Sequence, residues 1–445
     1  MEFINSFLWG PPMLIIYMFI GIYFTVGTKF FQIRHFGAII KNTLCTLTKP
    51  HKKGANISPF QALSTALASC IGTGNIVGVA TAIAAGGAGA VFWMWVSAFF
   101  GMMTNYAETV LGVHFRKTTK KGEYYGGPMY YMELGLGFKK LGLLFAFLCL
   151  FASFGVGNIA QINGVSAAFG RTFSLNGTAP KLIIGIIMAA VIGAVIFGGI
   201  KRIAAVTERL IPAAALLYIA AAAIVLIAMR KNIPTAFFEI IEGAFSLKSV
   251  AGGGAGFVAA RAVRFGIARG VFTNEAGLGS SVLVHASADV KNPCIQGFWG
   301  IFQVFFDTIV MCTLTALVLI TTNAHQSGLD GVEMSSVAFE SVLGTSGKYI
   351  ITFGILFFAV ATIIGWSFYG VRCVSYISKG NSRAQNAYKA VYLCVTVVGA
   401  VSGVDIVWSM SDIFNGLMAI PNLLAVFMLS PIVFKLTKDY KAGLL

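Results

Sequence analysis

The chain has 445 residues, 57% of them hydrophobic and only 11% charged, with a mean hydropathy of +0.82. A soluble core could not hide that much apolar surface, so the composition excludes an ordinary globular protein and implies one whose solvent is the bilayer. The formal charge of +16 needs no nucleic acid: the basic residues collect in loops, where anionic lipid is the fitting partner.

Apolar runs of about 18 or more residues read as spanning helices. Some eleven occur, near 12–30, 59–86, 90–114, 141–171, 182–200, 210–229, 256–285, 296–321, 349–378, 387–405 and 412–434. The fold class is therefore an all-α polytopic membrane protein. The first run has no basic stretch before it and no small-residue cleavage site soon after it, so it is expected to be a retained helix. Lys and Arg mark cytoplasmic loops. With the N-terminus outside, the inner side receives Lys29, Arg34, Lys41, Lys49, Lys52, Lys53, Arg116, Lys117, Lys139, Lys140, Lys201, Arg202, Lys291, Arg372, Lys379 and Lys438. The expected topology is N-terminus outside and C-terminus inside, in the plasma membrane. Oligomeric state is not encoded in any pattern of the chain.

Setting the first helix aside, ten helices divide into two sets of five, 59–229 and 256–434, around a more polar stretch at 230–255. Five is odd, so the halves cross the membrane in opposite senses, a 5+5 inverted repeat preceded by one extra N-terminal helix. Residues 1–445 then form one transporter domain. Each half opens with a glycine-interrupted helix, broken at Gly72-Thr73-Gly74-Asn75 and at Gly270 to Gly277. Carbonyls and amides freed in mid-membrane are tolerated only where they line a cavity or meet a ligand. The N–H end of a half-helix suits a carboxylate and the carbonyl end a cation. The alternative is that Gly72, Gly74 and Gly78 only permit close helix packing.

Glu108, Glu275 and Asp307 fall within spans, where carboxylates are costly and face a cavity, a cation or a base. Glu275 and Asp307 lie near the second break, with Arg261, Arg264 and Arg269 as the competing structural partners, whereas Glu108 is expected to cap or pair locally. Asn158 and Gln161 share a helix face, as do Thr362 and Trp366; each pair reads either as ligand-binding or as interhelical glue and core filling. The seven cysteines show no CxxC spacing and are expected to be free, buried thiols. The five histidines form no HExxH, and no Gly-x-Ser-x-Gly elbow or Walker loop is present, so the chain is not expected to be an enzyme.

The stretch Ser69 to Trp95, with Gly155 to Gln161 and Val271 to Gly279, closely resembles the alanine or glycine:cation symporter family, and the resemblance covers essentially the whole chain. Ala88 departs from it where proline is usual. The resemblance implies sodium-driven symport of alanine or glycine on the leucine-transporter type of inverted-repeat fold. It further implies that the amides at Gly72-Thr73-Gly74-Asn75 hold the substrate carboxylate; with the polar and bulky residues read beside the breaks, the expected substrate site is Thr73, Gly74, Asn75, Gln161, Phe272, Thr273, Thr362 and Trp366. By the same likeness sodium would be held by Asn75, the carbonyl of Cys70, Thr273 and Asp307 at one position and by the carbonyls of Ala68 and Ile71 with Thr362 at another. The rival readings are proton coupling through Glu275 or Asp307, and a channel.

Overall fold

In a computed structural model, residues 5, 7–46, 56–120, 122–175, 177–245, 255–402 and 404–444 are described; Lys49, Lys52 and Lys53 of the first basic loop lie outside them. The helices, in order, begin with α1 (Pro11–Gly27), α2 (Phe31–Arg34), α3 (Phe36–Asn42), α4 (Pro59–Cys70), α5 (Val77–Gly86) and α6 (Ala90–His114). They continue with α7 (Pro128–Leu134), α8 (Lys139–Phe173), α9 (Thr178–Ile196), α10 (Gly199–Ala228), α11 (Ile233–Phe245), α12 (Ala255–Asn274) and α13 (Val282–His285). The series closes with α14 (Pro293–Thr321), α15 (Gly331–Leu343), α16 (Thr345–Ile377), α17 (Ser382–Val401), α18 (Val404–Met428) and α19 (Ser430–Lys441). A two-stranded hairpin, Lys117–Thr118 with Tyr124–Tyr125, sits between α6 and α7.

Among the described residues, α8, α9, α10, α14 and α16 are each long and apolar enough to cross a bilayer. The α18 and α19 segments make a sixth if counted as one span bent by 57°. Other expected spans coincide with helices whose polarity or breaks serve the interior: 59–86 and 256–285 are interrupted, and α6 buries Asn105, Glu108 and Thr109. The lipid-facing skin is apolar, with Ile183, Ile186, Ile187, Leu216, Leu217, Ile224, Ile227 and Phe238 exposed on α9 to α11. Cys394 on α17 is exposed too, against the expectation of buried thiols, because α17 turns one face outward; Cys45, ahead of α4, is also exposed.

Local chemistry sets the helix starts that position the site. Ser58 and Gln61 form a reciprocal capping box, each side chain meeting the other's backbone N–H at 3.0 Å, with Pro59 at the first helical position of α4. Asn292 accepts from the amide of Cys294 at 2.9 Å and starts α14 before Pro293. Two π-helical segments, Gly155–Ile159 in α8 and Phe305–Cys312 in α14, swell their helices beside Gln161 and Asp307.

The first break falls where expected. α4 ends at Cys70, Ile71 and Gly72 are extended, and a single 3₁₀ turn, Thr73–Asn75, leads into α5. The second break begins later than the sequence suggests: α12 runs through Gly270 to Asn274, and the chain leaves the helix at Glu275. Glu275, Gly277 and Gly279 adopt positive φ of 60°, 89° and 76°. Gly270 is glycine for packing, since a Cβ there would stand 2.2 Å from Ser97 Oγ. The left-handed positions, for which glycine is suited, are 277 and 279.

Candidate substrate and cation site

At the first break, the amide and the hydroxyl of Thr73 both donate to Gln161 Oε1, each at 3.1 Å. Gln161 is held in turn by Nε2 donating to the Val156 carbonyl at 3.1 Å, across the π segment of α8. Two donors thus converge on one oxygen at the start of a 3₁₀ turn. Gly72 donates its amide to Asn75 Oδ1 at 3.1 Å, and its missing side chain is a requirement: a Cβ would lie 2.7 Å from Thr362 Oγ1 and 3.0 Å from Gln161 Oε1. Gly74 is tight for the same reason, with Thr273 Cγ2 3.2 Å from where its Cβ would stand.

Oxygen atoms gather in two places around the break. At the end of α4, Thr362 Oγ1 of α16 lies 2.9 Å from the carbonyl of Ala68 and 3.4 Å from that of Ile71. These three expected cation-ligating residues therefore meet, although α16 is some 290 residues away in the chain. On the opposite side, Asn75 Nδ2 donates to Asp307 Oδ1 at 2.7 Å and to the Asp307 carbonyl at 3.2 Å. Asp307 Oδ2 accepts from Thr308 at 2.9 Å, and Thr308 accepts from Asn274 at 3.2 Å, so this carboxylate ties the first break to the last residue of α12. The thiol of Cys70 faces the Leu67 carbonyl at 3.7 Å, and the hydroxyl of Thr273 donates to the Gly270 carbonyl at 3.0 Å beside Cys312. All of these side chains are buried.

Trp366 lies one turn along α16 from Thr362 and donates its indole N–H to the Ser69 carbonyl at 3.2 Å. It packs against Gly157, where an added Cβ would be 2.3 Å from the Trp366 Cβ. Asn158 does not join Gln161; it donates to the Tyr392 carbonyl on α17 at 2.8 Å, which is the interhelical role. Phe272 turns away from its neighbour Thr273, its ring edge-on to Trp9 at 6.1 Å and under the guanidinium of Arg269 at 5.5 Å. Glu275 turns to Ser280, which donates at 2.6 Å, while Arg264 bonds the Trp9 carbonyl at 3.3 Å.

Glu108 corrects an expectation. It does not cap or pair locally: it accepts from the amide of Gly277 at 3.3 Å and bonds Asn422 of α18, which also holds the Gly277 carbonyl at 2.9 Å. Tyr131 of α7 completes the cluster by donating to Asn422 Oδ1. An acidic residue on a helix shows in the sequence only its own turn; its partners here are 169 and 314 residues away. The sequence reading also missed Thr315, which donates to the Asn75 carbonyl at 2.8 Å and meets Tyr218 at 2.6 Å. Its one signal was a hydroxyl in an apolar span.

Two interrupted helices with side chains of α8, α14 and α16 around the first break describe a transporter core, and solved structures share this architecture. The structure of MhsT in complex with L-phenylalanine superposes with a TM-score of 0.59 at 15% identity, over 87% of this chain and 99% of that one. A manganese transporter of Eremococcus coleocola gives 0.53 at 13% identity, over 85% and 78%. The chain thus has the leucine-transporter type of fold. A family model described as the sodium:alanine symporter family matches residues 1–444, and the chain belongs to that family. The sodium/alanine symporter AgcS of Methanococcus maripaludis is 40% identical over 445 residues, covering 98% of this chain and 96% of that protein. An uncharacterized transporter of Haemophilus influenzae is 42% identical over 98% and 94%, and the probable sodium/glutamine symporter GlnT of Bacillus subtilis is 38% identical over 99% and 90%. The chain is accordingly an amino-acid:cation symporter and not an enzyme.

Proposed function

We propose that this protein carries alanine and glycine into the cell together with sodium, by alternating access within one membrane domain built as a 5+5 inverted repeat plus α1. The observation that carries the reading is the convergence of the Thr73 amide and hydroxyl on a single oxygen, 3.1 Å from each. Gln161 Oε1 occupies the position a substrate carboxylate oxygen would take, and the anion is the better acceptor. Gly74 and Asn75 complete that cradle, and the substrate ammonium lies toward Thr273 and backbone carbonyls near Phe272, whose ring turns away to Trp9. Sodium is held by Ala68, Ile71 and Thr362, and at a second position by Cys70, Asn75, Thr273 and Asp307. Trp366, fixed to Ser69 and seated on Gly157, closes the pocket to longer side chains.

Because sodium and substrate share the first break, each raises the affinity of the other by one common factor. The basic face, where Arg116 bonds the carbonyls of Ala288 and Val290 at 2.8 and 2.5 Å, is cytoplasmic in this reading, which places the N-terminus outside and the C-terminus inside the plasma membrane. The test is uptake of labelled alanine into proteoliposomes with and without an inward sodium gradient, at fixed pH and zero potential, with glycine and glutamine as competitors. Accumulation that needs sodium and yields to glycine but not glutamine supports the assignment. Accumulation driven by a pH gradient alone overturns it in favour of proton coupling through the buried Glu108, Glu275 or Asp307.

A further inference from the structure

Helix α14 carries a polar stripe that the substrate site does not use. Gln296, Gly300, Gln303 and Asp307 lie at i, i+4, i+7 and i+11, hence on one face, and run about 16 Å from the cation-site carboxylate toward the Lys291 end of the helix. Gln296, Gln303 and Asp307 are each fully buried. At Gly300 the missing side chain leaves space filled from α6: a Cβ there would stand 2.7 Å from Asn105 Oδ1 and 2.9 Å from Thr109 Oγ1.

His285, in the inner half of the second broken helix, bridges the stripe. Its Nε2 pairs with Gln303 Oε1 at 2.9 Å and its Nδ1 with Gln296 Nε2 at 2.8 Å. Gln296 Oε1, Gln303 Nε2 and the indole N–H of Trp299, on the same side of α14, are buried without a partner. That bookkeeping survives any choice of histidine tautomer. A neutral imidazole offers one donor and one acceptor, so one glutamine always keeps a free carbonyl oxygen and the other a free N–H. A buried orphan acceptor is costly and calls for a positive or hydrogen-bonding visitor.

We propose that this stripe is the route by which sodium leaves the carboxylate site toward the basic face, handed from Asp307 past Asn105 to the free Oε1 of Gln296. Neutral oxygens suit a conduit because they compensate dehydration without trapping the ion as a second carboxylate would. Gln296, Gln303, Asn105 and Asp307 are all fully buried, so the route is closed in this structure. The inference rests on the sodium reading above.

The experiment compares two fluxes in proteoliposomes for wild type, Gln296→Met and Gln296→Asn: net alanine uptake down a sodium gradient, and exchange of labelled for unlabelled alanine with equal saturating sodium on both sides. Net uptake requires sodium to be released at each cycle; exchange does not. Gln296→Met is expected to slow net uptake about tenfold, while exchange and the outer-side sodium half-saturation stay within about twofold. Gln296→Asn, which keeps a neutral amide oxygen, is expected to recover net uptake toward the wild-type rate. Parallel loss of both fluxes, or no change in either, overturns the route while leaving sodium coupling intact. Wild-type uptake indifferent to sodium overturns the sodium reading and this inference with it.

Discussion

Thr362 concentrates the cation argument in one hydroxyl, set between two carbonyls at 2.9 and 3.4 Å. Thr362→Ala removes a ligand and leaves both carbonyls buried. The sodium half-saturation of alanine uptake is expected to rise at least about tenfold, which is ~1.4 kcal/mol, and Thr362→Ser is expected to restore it. In the proposed pocket Trp366 sets the size of side chain admitted. Trp366→Ala opens space above Gly157 and is expected to admit glutamine as a competitor of alanine uptake, an effect read directly from inhibition curves. Gly72 serves as the geometric control, because a methyl there collides with Thr362 and Gln161 together; Gly72→Ala is expected to abolish uptake while the purified protein keeps its monodisperse elution.

The elements that matter are the two breaks, and each is held by a buried polar clasp from a distant helix. The first is clasped by Gln161 from α8 and Asp307 from α14, the second by Glu108 from α6 and Asn422 from α18. Removing the clasp of the second break leaves the Gly277 amide buried and unpaired, at a cost of about 1–3 kcal/mol. Glu108→Ala is therefore expected to lower the melting temperature in detergent and reduce uptake, whereas Glu108→Gln, which still offers an acceptor to Gly277, retains most of both. Retained stability in the alanine variant would show that the clasp is dispensable. Close packing between helices matters equally: Gly270 of α12 lies against Ser97 of α6, so Gly270→Ala is destabilising and Ser97→Gly in the same chain is expected to relieve it.

For the whole molecule, topology is the quantity most open to direct test. Cys45 lies exposed in the segment before α4, and Cys394 is the other exposed thiol among the described residues. In a Cys394→Ala background, a membrane-impermeant maleimide is expected to label Cys45 in inside-out vesicles and to spare it in right-side-out ones. The reverse pattern would invert the orientation assigned from Lys and Arg. The fold also explains why helices of such different polarity coexist: α9 to α11 face lipid with aliphatic side chains, while α6, α14 and α16 lie inside and carry the polar groups.

What the chain determined by itself is periodic or compositional, since it follows from the thickness of the bilayer and the cost of unpaired backbone within it. The membrane class, most of the helical stretches, the first break at Gly72 to Asn75, and the polar residues Gln161, Asp307, Thr362 and Trp366 were legible for that reason. The second break was legible in kind but misplaced, because a glycine reads the same whether it ends a helix, as 277 does, or lets two helices touch, as 270 does. Only tertiary structure decided which polar groups meet. It sent Asn158 to Tyr392 and Phe272 to Trp9, and it joined Glu108 to a loop 169 residues away. A buried polar atom takes the partner that packing brings within 3 Å, and no local pattern in the sequence records that partner.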